Sequence, residues 1–346
     1  MRREWTGAVE LQVTVSGGEC RALAYPALTG RPEPGDTVLL NTTALALGLG
    51  TGGYAFVVAV PGRLPADPVL DGHLVKARYT PLQATVLGVD EQNSPHHDLL
   101  READDLDGMP VVVADLHSAL PAILAATRQP GRAAPRAVYV MQDGGALPAW
   151  FSRTCAGLRE AGWLDGVVTV GQAFGGDLEA VTLHTGLLAA RHVLGADLAV
   201  VAQGPGNLGT GTRWGFSGVC CGEAVNAAAV LHGRPVASLR ISEADARDRH
   251  RGVSHHSLTA YGRVALARAD VVLPDLPGDL GSLVTGQAAA LAGRHHLVRV
   301  PLDGLHEALL ASPVPLSPMG RGLDQDLAYF LAAAAAGRHA LALLGG

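Results

Sequence analysis

A small β unit followed by a three-layer αβα domain around a mostly parallel sheet is the α/β architecture this sequence predicts. Three observations carry it. Short runs containing Val, Leu and Tyr, cut by turn signals, extend to about residue 85. A strand-then-helix rhythm takes over from Met109, and the strand runs there are continuously apolar rather than alternating. Continuous runs suit strands covered by helices on both faces, as parallel strands are.

In chain order, AVELQVTV, CRALAY, DTVLLN, YAFVVAV and HLVKARYT are separated by signals such as SGG and PEPGD, which predicts a small barrel or sandwich over 1–85. GLGTGG (48–53) fits G-x-G-x-x-G, but a β run follows it instead of a helix, so tight-turn glycines account for it better than a dinucleotide does. In HLVKARYT, Lys76 and Arg78 fall on one strand face. They either face solvent or lean over the second domain to hold an anion. Residues 86–108, acidic and turn-rich with one short helical piece, read as a connector, and His96 and His97 within it as surface histidines.

From 109 to 346 the runs PVVVAD, RAVYVM, GVVTV, DLAVVAQ, RPVASLRIS, DVVLPD and HHLVRVPLD read as strands. Helices are expected over HSALPAILAATRQ, GGALPAWFSRTCAGLREAG, GGDLEAVTLHTGLLAARHVLG and the closing LDQDLAYFLAAAAAGRHALALL. In an open parallel sheet, ligands bind outside the carboxyl ends of the strands. Five successive strand ends are rich in polar or glycine residues: Asp115, His117 and Ser118; Gln142, Asp143 and two glycines; Gln172, Gly175, Gly176 and Asp177; GPGNLGTGT; and the stretch that begins at Arg240.

That last stretch, RISEADARDRHRGVSHHSLTA, holds four arginines, three carboxylates and three histidines between Arg240 and His256. Charged residues are only 17% of the chain, so the concentration is site-like. Arg247, Arg249 and Arg251 offer forks that match phosphate or carboxylate, and Asp245 and Asp248 can orient them. Gly252 breaks the segment and Ser254 is placed to cap a helix, leaving His250, His255 and His256 around a loop. Histidines so placed can shuttle protons or bind a divalent metal as cofactor, with His117, Asp143 and Asp245 as further ligands; His255, His256 and Asp245 are the candidate metal set. No H-E-x-x-H spacing is present.

The loop GPGNLGTGT (204–212) follows an apolar strand, and its glycines let backbone amides converge on an anion without steric interference. Gly204, Gly206 and Gly209 fit G-x-G-x-x-G with Glu223 downstream, but TGTRWGFSG does not open a helix, which favours an anion cradle over NAD. The candidate substrate-binding set is therefore Gly204, Gly206, Gly209, Thr210, Thr212, Arg247, Arg249, Arg251 and Lys76. The candidate catalytic set is His117, Asp143, His250 and His255. Ser217 in GFSG is not a G-x-S-x-G elbow.

Composition excludes several classes. A net charge of −6 and a pI near 6.1 leave no broad footprint for nucleic acid. Lys76 is the one lysine among 26 basic residues, so there is no P-loop lysine and no other Schiff-base candidate. Cys20, Cys155, Cys220 and Cys221 lack C-x-x-C spacing, and the N-terminus lacks an apolar signal core, so the expectation is a cytoplasmic protein off the membrane with reduced thiols. A hydrophobic fraction of 48% is compatible with a homodimer.

LNTTA, GLGTGG, ARYTPLQ, GQAFGGDLEAVT, GPGNLGTGT and RHRGVSHHS, in this order, resemble an actinobacterial family of uncharacterised proteins, domain of unknown function 3866, over nearly the whole chain. The resemblance implies no activity, cofactor or site residue. Two functions fit the residues: a hydrolase or transferase acting on a small phosphorylated or carboxylated molecule, with or without metal, and a non-catalytic sensor or binding protein for a small molecule or nucleotide. The density of titratable groups favours the enzyme.

Overall fold

The computed structural model describes residues 3–67, 71–129, 131–318 and 320–345. Its N-terminal strands are β1 Arg3–Trp5, β2 Ala8–Val15, β3 Gly18–Ala24, β4 Leu39–Asn41 and β5 Ala55–Ala59, and they form one five-stranded mixed sheet, β1-β2-β3-β5-β4. A separate hairpin pairs β6 Leu74–Lys76 with β7 Ala84–Val86. The barrel or sandwich expected for this segment thus takes the form of one open sheet plus a hairpin.

The large sheet is built of β8 Pro110–Val113, β9 Ala137–Gln142, β10 Gly166–Thr169, β11 Leu178–Glu179, β12 Leu198–Gln203, β13 Arg234–Ser238, β16 Asp270–Pro274 and β17 His296–Val300. Its order is β11-β10-β9-β12-β8-β13-β16-β17, with every pair parallel. Between β13 and β16, the two-residue strands β14 Ile241–Ser242 and β15 Gly252–Val253 pair antiparallel.

Alternate residues of each large-sheet strand enter two separate apolar cores. Val111, Val113, Val138, Val140 and Val201 pack on one face with the helix Cys220–Val230. Val112, Tyr139, Met141 and Val200 pack on the other with the helices Leu120–Ala126 and Leu327–Leu343. Burial on both faces is what the unbroken valine runs require. At 25 cal/mol per Å² of apolar surface, each such side chain contributes about 1.5–3 kcal/mol.

The topology fixes where a ligand can enter. β8 and β12 are neighbours, yet the chain leaves β8 through Leu120–Ala126 on one face and β12 through Cys220–Val230 on the other. Loops that diverge to opposite faces open a crevice at the carboxyl ends of those two strands.

Two expected helices are shorter than the sequence suggests. Over 144–162 only Arg153–Glu160 is α-helical, starting where the Ser152 hydroxyl accepts the Cys155 amide at 2.9 Å. Over 175–195 the chain first forms the edge strand β11, Leu178–Glu179. Glu179 accepts the Gly175 amide at 2.6 Å and the Thr169 hydroxyl at 2.7 Å, which holds the segment extended, and the helix begins at Leu183.

An aromatic seam joins the N-terminal sheet to the large one. Trp5 Nε1 donates to the Trp150 carbonyl at 2.7 Å, Tyr25 lies 6.1 Å from the Trp150 ring, and Phe56 lies 6.3 Å from Phe151. No helix among the described residues is long and apolar enough to cross a membrane.

Candidate functional site

A cavity of about 510 Å³ opens at the divergence of β8 and β12. Residues following β8 (Leu116, His117, Ser118), residues at and after β12 (Gln203 through Asn207, Gly209, Gly211) and residues after β13 (Arg240, Arg247, Arg249, His250, His256) line it, joined by Gly50 from the loop before β5 and by Pro315 and Ser317 near the C-terminal helix.

The Arg240–His256 stretch is a closed excursion rather than a helix. Beyond the pairing of β14 with β15, the Ser254 amide donates to the Arg240 carbonyl at 2.8 Å, and the Arg240 amide donates to the Ser257 hydroxyl at 3.0 Å. This fold-back brings the first arginine and the last histidine to one place. Ser254 caps the helix His255–Thr259 as its sequence position predicts, accepting the His256 amide.

Asp245 organises the arginines. Arg247 grips it with Nε and a terminal nitrogen, each at 2.8 Å, while Arg240 and Arg321 approach to 3.7 and 3.6 Å. The Arg247 side chain, hydrogen-bonded to it and helped by its own amide, holds the Asp245 carboxyl well below the usual carboxylate range. Arg249, exposed, lines the cavity beside Gly211.

His250, His255 and His256 form a compact imidazole group, with ring centroids 4.4–5.0 Å apart and His256 stacked on Phe216 at 3.8 Å. One ring nitrogen from each lies within 4.8 Å of the other two. His250 Nδ1 shares a hydrogen bond of 2.8 Å with the Ser254 hydroxyl. His255 Nε2, His256 Nδ1 and Asp115 Oδ2 are shut from solvent with no hydrogen-bond partner among the described residues. Burial, followed by Arg240, Arg247 and His256, pushes His250 down to about 3. Burial, then His256 and the arginines, pushes His255 down to about 4, so both stay neutral near pH 7.

Not every candidate from the sequence reaches this place. His117 lines the cavity, but its Nε2 is tied to the Ser152 hydroxyl at 2.7 Å and its Nδ1 to the Tyr139 hydroxyl at 3.1 Å. Burial brings it down to about 4, and the Tyr139 hydroxyl donates onward to the Gln203 carbonyl. His117 therefore has no nitrogen left for a substrate. Asp143 lies outside the cavity, its carboxylate accepting the Gln172 amide at 2.8 Å. Lys76 is buried away from it, its ammonium donating to the carbonyls of Gly171, Ala173 and Ala180 beside Glu179 at 3.6 Å. Arg251 does not line the cavity either.

In the glycine loop, Gly204, Gly206 and Gly209 line the cavity, whereas the hydroxyls of Thr210 and Thr212 bond each other and the Gly215 backbone. These threonines shape the turn. A Cβ at Gly204 would sit 2.3 Å from the Ala146 carbonyl oxygen, which explains that glycine, and Gly206 has a φ of 92°. The amides of Gly206, Gly209 and Gly211 donate to no described residue.

Arg240, at the head of the dense stretch, and Asn207, within GPGNLGTGT, belong to the site without having been assigned a role, and Gln203 belongs to it although no motif announces it. Arg240 was findable, since it follows a strand directly. Gln203 bridges Asn207 and the Asp115 carbonyl, at 2.9 and 2.8 Å, a role visible only once β8 and β12 are adjacent.

These features define an α/β protein with a guanidinium- and imidazole-lined crevice at the carboxyl edge of a parallel sheet. The chain belongs to the family described as Protein of unknown function (DUF3866), whose model matches residues 21–337. Compared with the curated proteins and with the solved structures, the chain finds no match.

Proposed function

We propose that this protein is a hydrolase or transferase acting on a small phosphorylated or carboxylated molecule, held between the glycine loop and Arg240, Arg247 and Arg249. The observation that carries the reading is the convergence of three arginines on one cavity at the sheet's carboxyl edge, beside a loop in which the amides of Gly206, Gly209 and Gly211 donate to no described residue. Guanidinium forks and free amides both recognise oxyanions, and their position on fixed strand ends supplies orientation. The imidazoles alongside offer lone pairs that a receptor has no need of. The reading takes 1–85 as a β domain, 86–108 as a connector and 109–346 as the domain carrying the site.

A second reading, a non-catalytic sensor, is favoured by one feature: Gly50, in the loop that leads into β5 of the N-terminal sheet, lines the same cavity, so an occupant touches both sheets' surroundings. Calorimetric titration with inorganic phosphate, pyrophosphate, sugar phosphates and dicarboxylates tests the shared premise. Arg249→Ala should weaken the best of these about tenfold or more, the usual effect of losing a charged hydrogen bond. Absence of saturable binding by any of them ends both readings. Turnover of phosphate or carboxylic esters selects the enzyme, and binding without turnover the sensor.

A further inference from the structure

We propose that His250, His255 and His256 form a binding site for one divalent transition-metal ion, with an open coordination position toward the anion cavity. Three nitrogens from three imidazoles within 4.8 Å of one another form a ligand set that is already gathered. Tetrahedral coordination at about 2.0–2.1 Å places nitrogens roughly 3.4 Å apart, so closure asks for small ring rotations rather than backbone movement. The unpartnered nitrogens give the independent argument. His256 is 6% exposed, and its Nδ1 and the His255 Nε2 are dry and unbonded. Leaving such groups unsatisfied is costly, and no donor among the described residues reaches them. A cation satisfies both at once.

Ligand type narrows the ion. Three imidazoles suit zinc, cobalt(II), nickel or iron(II), whereas magnesium and calcium call for oxygen ligands. Asp245, expected from the sequence to be a ligand, has both oxygens engaged by Arg247, so the third nitrogen comes from His250, whose Nδ1 bond to Ser254 leaves Nε2 available. Three protein ligands with a fourth position open is the arrangement of catalytic rather than structural zinc.

The surrounding charge has a further effect. Asp115 Oδ2 lies 3.8 Å from both His256 Nδ1 and an Arg240 nitrogen, and Asp245 lies beyond. Two carboxylates do not offset a dication together with Arg240, Arg247 and Arg249. An anion in the cavity supplies the missing negative charge, so metal and anion strengthen each other's binding, and by linkage reciprocally. This coupling rests on the anion-binding reading, whereas the metal site itself does not.

The test is a cobalt(II) titration of the full chain after chelator treatment, followed by visible absorption, with and without inorganic phosphate. One equivalent should give the strong bands of tetrahedral nitrogen coordination, displaced by zinc. His250→Asn and His255→Asn, each checked for an unchanged circular-dichroism spectrum, should each weaken binding by about 100-fold or more, the upper end of what even outer-shell changes cost. The wild-type spectrum decides by itself if a variant fails to fold. Weak, pale octahedral binding, or tight binding indifferent to both substitutions, overturns the metal site. Phosphate should tighten cobalt binding several-fold in the wild type and less in Arg249→Ala. Cobalt binding that ignores phosphate, in a protein that binds no phosphate alone, removes the anion reading and leaves the metal site standing. Phosphate binding without cobalt binding does the reverse.

Discussion

Single residues in this fold are held by polar partners whose identity the sequence conceals. His117 follows a strand and reads as a catalytic candidate, yet its ring closes a chain from Ser152 through Tyr139 to the Gln203 carbonyl. Burial holds it neutral down to about pH 4, whereas an unfolded chain protonates it near 6.5. Between those values the unfolded state binds the extra proton, so stability is complete above about 6.5 and falls as the pH drops toward 4. At 1.36 kcal/mol per unit the loss attributable to this ring is roughly 3 kcal/mol. Denaturant midpoints measured from pH 7 to 4.5 should decline, and His117→Gln, though less stable at pH 7, should decline less steeply. Equal slopes would show that His117 does not carry the effect. The site residues legible beforehand, Arg247, Arg249, His250 and the glycines, were so because of local density. Arg240 and Asp115 stand out by position, at the head of the dense stretch and at a strand end, but their pairing depends on which strands become neighbours.

Among the elements, the closing helix Leu327–Leu343 shows what composition can and cannot convey. Its alanine run announces a helix, and strong burial explains why charge is nearly absent from it. What the run does not announce is how closely it packs. A Cβ at Gly337 would lie 2.0 Å from the Ile123 carbonyl oxygen, so this helix meets Leu120–Ala126 backbone to side-chain-less backbone. Gly337→Val should cost about 1–3 kcal/mol or more by forcing the pair apart, despite the better helix propensity. A thermal midpoint equal to or above that of the parent would refute the contact. Strand runs were legible almost throughout because two-sided burial leaves a continuous apolar signature. The two-residue β11 left none, since Glu179 and its partners, not hydrophobicity, define it.

Across the whole molecule, the α/β class and the parallel sheet follow from the alternation of runs, while strand order and the contact between the two sheets do not. Nor does the docking of the β6–β7 hairpin through Lys76, whose ammonium lies in a pocket of three carbonyls belonging to the large sheet's loops, next to Glu179. Burial draws the ammonium's pKa down and Glu179's up, and each holds the other charged. Lys76→Met leaves a buried carboxylate unbalanced and should cost about 3–5 kcal/mol, which the added change Glu179→Leu should partly restore. Urea midpoints of the two variants measure this, and a single variant as stable as the parent would contradict the pairing.

The same pin constrains how the sequence can drift. Either charge lost alone strands its counterpart, so the two are expected to change together. In a chain whose other basic residues are all arginine, that is reason enough for this lysine to persist, and relatives lacking it should carry an uncharged residue opposite.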